Sequence, residues 1–278
     1  MDSDGELRLT IMATLAQEES RKKNNGHTIQ RGCVTVIYIR GSQLDFGNSY
    51  RTGKPVFDDI FMRLPVSIKV AFLGMLLATV MGLPLGVLSA VKQYSPADSF
   101  LRVASTVLVA MPTFWLAMLL ILVFALYLGW LPAGGALTWQ SYILPTITVG
   151  VPYGSKVLRM TRSTMLEEIR QDYVRTARSK GVPEKKVIYG HALKNALLPV
   201  ITTIGSAFGA ILGGSVIAES VFNLPGLGSL IVLSIKAKDT PSVLASVLLL
   251  AVFFALIMLI VDLVYAFIDP RIKAKYAK

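Results

Sequence analysis

The sequence predicts an all-α membrane protein, a polytopic bundle of spanning helices, and three observations carry that prediction. Apolar residues gather in blocks of about twenty or more, the length that crosses roughly 30 Å of hydrocarbon. The connections between blocks alternate between basic and neutral. Prolines and ridges of small residues lie inside the blocks, as in helices packed against one another in lipid. Of 278 residues, 53% are hydrophobic, and the mean hydropathy is +0.58. A soluble domain averages about 45–50% apolar residues.

Five spans are expected, at about 64–90, 100–128, 142–158, 196–218 and 242–268. Pro84 and Pro112 interrupt the first two, and Pro145 and Pro152 lie in the third. In the first span Gly74, Ala78, Gly82, Gly86 and Ala90 recur every four residues. Gly205, Gly209 and Gly213 do so in the fourth. Small residues at that spacing line one helix face and let backbones approach closely. The two ridges either pack within the chain or face a second membrane subunit.

Charge sets the orientation. Residues 159–195 hold nine Lys/Arg against four Asp/Glu, residues 129–141 hold no charge, and residues 219–241 hold two of each sign. The basic loops and the C-terminal tail are therefore expected in the cytoplasm. The net charge of +11 belongs to these loops and does not point to nucleic acid. The single cysteine, Cys33, allows no disulfide within the chain, and His27 and His191 have no metal-site spacing.

The N-terminal region fits this scheme poorly. Residues 1–63 hold nine Lys/Arg and no span; their longest apolar run is Cys33 to Ile39. Residues 1–43 read as an atypical polar segment, partly disordered around Arg21–Lys23, and residues 44–63 as extracytoplasmic. Residues 64–278 form the membrane domain. A first transmembrane helix is expected to be missing from the chain.

The informative loop runs from Gln171 to Pro199 and reads as two short helices with a break. Ile169, Tyr173, Val174 and Ala177 line one face of the first at helical spacing. Gly181 suits a left-handed C-terminal stop, and Pro183 the first turn of the next helix. Val187, Ile188 and His191 give the second an apolar-leaning face. Such a platform, with an apolar face and a basic rim, is expected to need a partner or to lie on anionic lipid.

These residues resemble the EAA loop of ABC importer permeases, in the form found in the dipeptide/oligopeptide/nickel branch. The motif's triplet falls on Arg175, Thr176 and Ala177, its glycine on Gly181, and its later Ile-x-Leu-Pro element matches at Leu193. The stretch from His191 through Asn195 to Pro199 is similar to that branch. So are Asp45–Val56, Ala218–Gly228 and Asp262–Lys273, so the resemblance covers about residues 44–278. It implies a type I permease bundle, with six spans in the family where five are visible here. It also implies a coupling loop within 159–195, with Tyr173, His191, Leu193 and Asn195 beside the motif residues, docked on a cytoplasmic ATPase subunit. A second related permease, an extracytoplasmic substrate-binding protein and the lipid bilayer are the other implied partners. The implied location is a bacterial or archaeal cytoplasmic membrane. The implied cargo is di- or oligopeptide, with nickel or glutathione as alternatives.

Other signals are weaker. Gly47 to Pro55 has five residues between its glycines and Pro55 after Lys54, so it does not meet the phosphate-binding loop pattern. Asp262 is an acid inside the last span, a functional candidate by default, though near enough to the interface to pair with a basic residue. Lys69 is expected to snorkel outward. Glu219 opens an outer loop with Phe222, Pro225, Gly226 and Gly228, which the resemblance makes a gate or a binding-protein contact. No paired carboxylates or Ser-His-Asp set offers catalysis, and no cofactor is implied. A secondary transporter driven by an ion gradient is the rival reading; it would want paired acids or bases within the spans.

Overall fold

The computed structural model describes residues 7–9, 37–40 and 43–268. Three short strands, β1 (Leu7–Leu9), β2 (Ile37–Arg40) and β3 (Gln43–Asp45), form an antiparallel sheet in that order. Leu7 pairs with Ile39, and Tyr38 with Asp45. Everything else of regular structure is helical: α1 (Val56–Val91), α2 (Pro96–Ala110), α3 (Thr113–Leu120), α4 (Ile143–Ile169), α5 (Asp172–Ser179), α6 (Glu184–Lys186), α7 (Leu193–Val221), α8 (Leu227–Lys236) and α9 (Thr240–Ile268).

Helix α1 begins eight residues before the expected span and runs for 36 residues, about 54 Å at helical rise. It packs chiefly on α4, and α4 in turn on α7. The small-residue ridge makes this possible. A side chain at Gly82 would strike the Gly154 carbonyl and Val157, and one at Gly86 would strike Thr161 and the Leu158 carbonyl. Gly74 faces Val149 and Gly150, and Ala78 is wholly buried against Gly154. Gly205 and Gly209 likewise face Val261 and Phe254 of α9, whereas Gly213 meets open space. Helices of this chain thus occupy the first ridge at Gly74, Ala78, Gly82 and Gly86 and the second at Gly205 and Gly209.

Among the described residues three helices are long and apolar enough to cross a membrane: Val56–Val91, Glu184–Gly213 and Thr240–Val261. The expected second span is not one straight helix. The chain bends by 104° between Pro96–Ala110 and Thr113–Tyr127. Pro112 is the physical reason: it has no N–H to continue α2 and holds Met111 extended, at φ −66° and ψ 127°. The expected third span lies in α4, which is central and lined by buried polar residues such as Thr148, Ser155 and Thr161. A helix enclosed by other helices needs less apolar surface than one facing lipid.

At the end of the bundle opposite the basic loop, Phe46, Val56 and Ile60 pack with Leu227, Leu230 and Ala245, joining the start of α1 to α8 and α9. Asp239, between α8 and α9, fastens the preceding segment there. Its carboxylate accepts from the Ser49 and Ser242 hydroxyls and from the Tyr50 N–H, at 2.5, 2.8 and 3.0 Å. At the basic end, buried Asp98 joins three helices. It accepts two hydrogen bonds from Arg162 of α4 (2.8 and 3.0 Å) and one from Ser89 of α1 (2.5 Å).

Candidate functional site: the basic-end loop

The loop expected to carry function forms a ledge across the ends of α1, α4 and α7. Helix α5 ends at Ser179, and the chain reverses at Gly181, whose φ is +74°. The Val182 N–H reaches back to the Ala177 carbonyl at 3.2 Å, the closing bond of a left-handed helix stop. Space around Gly181 is open, so backbone conformation and not crowding calls for glycine there. Pro183 then starts α6. The second short helix does not stop. Through a wider turn over Val187–Ala192 it runs directly into α7, because no left-handed residue or proline interrupts it.

The apolar face of the loop is not open to a partner, contrary to the expectation from its periodicity. Val174, Val187 and Ile188 are buried with Val87 and Ala90 of α1 and Met165 of α4, and Ile169, Ala177 and Leu193 pack around them. The chain covers this face itself because α5 folds back over the end of α1. Each such side chain stabilises the docked loop by about 1.5–3 kcal/mol. What faces outward is polar: Arg175, Thr176, Gly181, His191 and Asn195 are all exposed. Tyr173 is at the edge, 38% exposed. Its hydroxyl donates to Glu168 at 2.6 Å, and Asn195 reaches the same oxygen. Burial and the Glu168 carboxylate push this phenol above its ordinary value.

Sequence reasoning passed over Arg170 and Arg178. Arg178 donates twice to Glu184, at 2.7 and 3.1 Å, bracing the Gly181 turn from side to side. The guanidinium holds Glu184 below its ordinary value. A hollow of about 500 Å³ opens beside the ledge, lined by Arg170, Arg175, Arg178 and Glu184 together with Leu166, Ile169 and Ile188. The only sequence signal was the basic excess of the loop, because an Arg–Glu pair six residues apart meets only when the chain turns back at glycine.

At the opposite end the expected outer loop is built differently. Glu219 does not open a loop; it lies inside α7 and is wholly buried. One carboxylate oxygen accepts from Ser215 at 3.0 Å, the other from the N–H groups of Gly228 and Ser229 at 2.7 and 3.2 Å. Ser67 of α1 accepts from the Leu227 N–H at 2.8 Å. Together they satisfy three of the four free N–H groups that begin α8. A side chain at Gly226 or Gly228 would strike the Glu219 carboxylate. Phe222 is buried as well, and of the five residues expected in a gate or binding-protein contact only Pro225 is exposed. Four of the five are therefore turned away from any outside partner, because Glu219 draws the start of α8 over itself. The Asp262 side chain lies outside the described residues. Lys69 is exposed, and its ammonium stands 4.8 Å from the Tyr142 ring centre. No group of three or more His, Cys, Asp or Glu could hold a metal ion among the described residues.

A bundle of apolar helices bent at Pro112, with an ordered basic loop folded on one end, is the architecture of ABC importer permeases. The structure is similar to the MetNI methionine ABC transporter in an inward-facing form, with TM-score 0.63 and 17% identity over 76% of this chain and 96% of that one. It is also similar to an amino acid ABC transporter solved with histidines, with TM-score 0.59 and 17% identity over 77% of this chain and 94% of that one. Residues 82–274 match the binding-protein-dependent transport system inner membrane component family, and the chain belongs to that family. The glutathione transport system permease protein GsiC of Escherichia coli K12 is 42% identical over 233 residues, 84% of this chain and 76% of that protein. Its namesake from Salmonella typhimurium is equally similar over the same shares. The family is one of transport permeases.

Proposed function

We propose that this chain is one of two related membrane subunits of an ATP-driven importer of small peptides, with the α5–Gly181–α6 ledge docked on a cytoplasmic ATPase subunit. The observation that carries the reading is the ledge itself. Its apolar residues are spent on fixing it to α1, α4 and α7, and its exposed face presents Arg175, Thr176, Gly181 and His191. A loop fixed in this way moves with three helices as one body. Closure of an ATPase pair would then rock the bundle between inward- and outward-open states. An extracytoplasmic binding protein would deliver cargo at the other end, in a bacterial inner membrane. Residues 44–63 belong to that outer side, and no nucleic acid takes part.

Glutathione, itself a small peptide, is the favoured cargo within this class, because relatives 42% identical carry it in their names. Nickel lacks comparable support. The gradient-driven rival would want paired acids or bases within the spans, for which Asp262 is the nearest sequence candidate. The buried carboxylates of Asp98, Glu219 and Asp239 are each taken up by two or more hydrogen bonds that hold helices together.

Co-purification through a C-terminal tag tests the coupling role. An ATPase subunit should accompany the native chain and be lost from Gly181→Val at an unchanged membrane level. Recovery of the chain alone, with uptake continuing after ATP is removed, would overturn the reading.

A further inference from the structure

A cavity of about 670 Å³ lies between α1 and α4 at the end away from the ledge, a size suited to a small ligand. Lys69, Leu73 and Leu77 line it from one stripe of α1, at intervals of four. Thr146 and Ile147 line it from α4, and Leu137 and Trp139 from the preceding segment. The walls are largely apolar. Among the described residues that line it, Lys69 is the one that carries a charge, and none is a carboxylate. Among the described residues Lys69 has no ion pair, only the face of Tyr142 at 4.8 Å. The Thr146 Oγ1 is buried with no hydrogen-bond partner among them.

A lysine inside a span is costly and calls for a function. Here Lys69 is exposed on the open side of the cavity, its ammonium over the Tyr142 ring and with no counter-ion among the described lining residues. The Thr146 hydroxyl, unsatisfied in the same wall, is a second donor. Apolar walls, one cation and one hydroxyl are the chemistry that receives an amphipathic carboxylate.

We infer that this cavity binds the carboxylate end of the cargo during its passage, with Lys69 as the anion-recognising group and Thr146 as a second donor. The inference rests on the peptide-import reading and names the group of the cargo that the membrane subunit itself recognises. A phospholipid phosphate shares the chemistry, and the test separates the two.

Leu137 is 99% exposed at the cavity mouth and can be replaced by the photoreactive residue p-benzoylphenylalanine. The intact complex, with ATPase and binding protein in phospholipid nanodiscs, is illuminated during ATP-driven transport of tritiated glutathione or alanyl-alanine. Adducts are identified by mass spectrometry. The transported peptide should be captured at position 137. Capture should fall by about tenfold or more in Lys69→Gln and return in Lys69→Arg. Thr146→Val should lower it in the same direction, and it keeps the test open if Lys69→Gln fails to assemble. Capture that ignores these substitutions, transport without capture, or adducts to phospholipid alone would overturn the site while leaving the importer reading intact. ATP-driven transport of neither peptide would overturn both.

Discussion

Single carboxylates hold this bundle together, and their loss should be felt as stability. Glu219 is the acceptor for two N–H groups of α8 and for the Ser215 hydroxyl. Glu219→Ala strands those donors in a buried site, where each unsatisfied group costs about 1–3 kcal/mol. The expected outcome is a clear fall in thermal midpoint of the detergent-purified protein, and an unchanged midpoint would contradict the capping role. Asp239 gives a pH dependence. Burial raises its carboxyl, but the Ser49 and Ser242 hydroxyls and the Tyr50 N–H outweigh that and hold it below the ordinary value. A depressed folded value means that the bonds contribute stability above the unfolded value, near pH 4. That contribution disappears as pH falls through the folded value. Ser49→Ala should therefore lower stability at neutral pH and narrow the gap to the native chain in strong acid, read from melting curves at pH 7 and pH 3.

Among the elements, the α1–α4 contact and the ledge make different demands on glycine. Gly82 and Gly86 are needed for space, since any side chain would meet the backbone of α4. Gly82→Leu should sharply reduce the amount of folded chain in the membrane, measured by immunoblot against the native level. Gly181 is needed for its positive φ in open surroundings. A β-branched residue there costs about 1–2 kcal/mol, which the packed ledge can absorb. Gly181→Val should therefore leave membrane level intact and act on coupling. The same residue type thus fails at folding in one place and at function in the other, and comparing the two immunoblots separates them.

For the whole molecule, the decisive quantity is orientation. Lys180 is exposed on the ledge and Lys238 at the opposite end. With Cys33 replaced by serine, a membrane-impermeant thiol reagent applied to intact cells should label Lys238→Cys. It should label Lys180→Cys only after the membrane is opened. The reverse pattern would invert the bundle and remove the ledge from any cytoplasmic ATPase. The Arg178–Glu184 pair braces the ledge internally, and the buried Val174 and Ile188 fasten it to the bundle. Displacement of one should therefore carry the other along.

By itself the sequence determined the class of fold, the helical ledge with its stop at Gly181, and the small-residue ridges. These are local properties: twenty-residue hydropathy, a four-residue period and the left-handed preference of glycine can be read without knowing what lies across the chain. Only the tertiary structure decided which surfaces are free. Periodicity marks the Val174 face as apolar but cannot say that Val87 and Met165 cover it. A glutamate before a Pro-Gly turn reads as a surface residue until α8 folds back over Glu219. That exposed Lys69 meets the face of Tyr142, more than seventy positions along the chain, shows only once the chain is folded. Burial and pairing at these sites are set by residues distant in sequence, and no local pattern encodes which distant helix arrives.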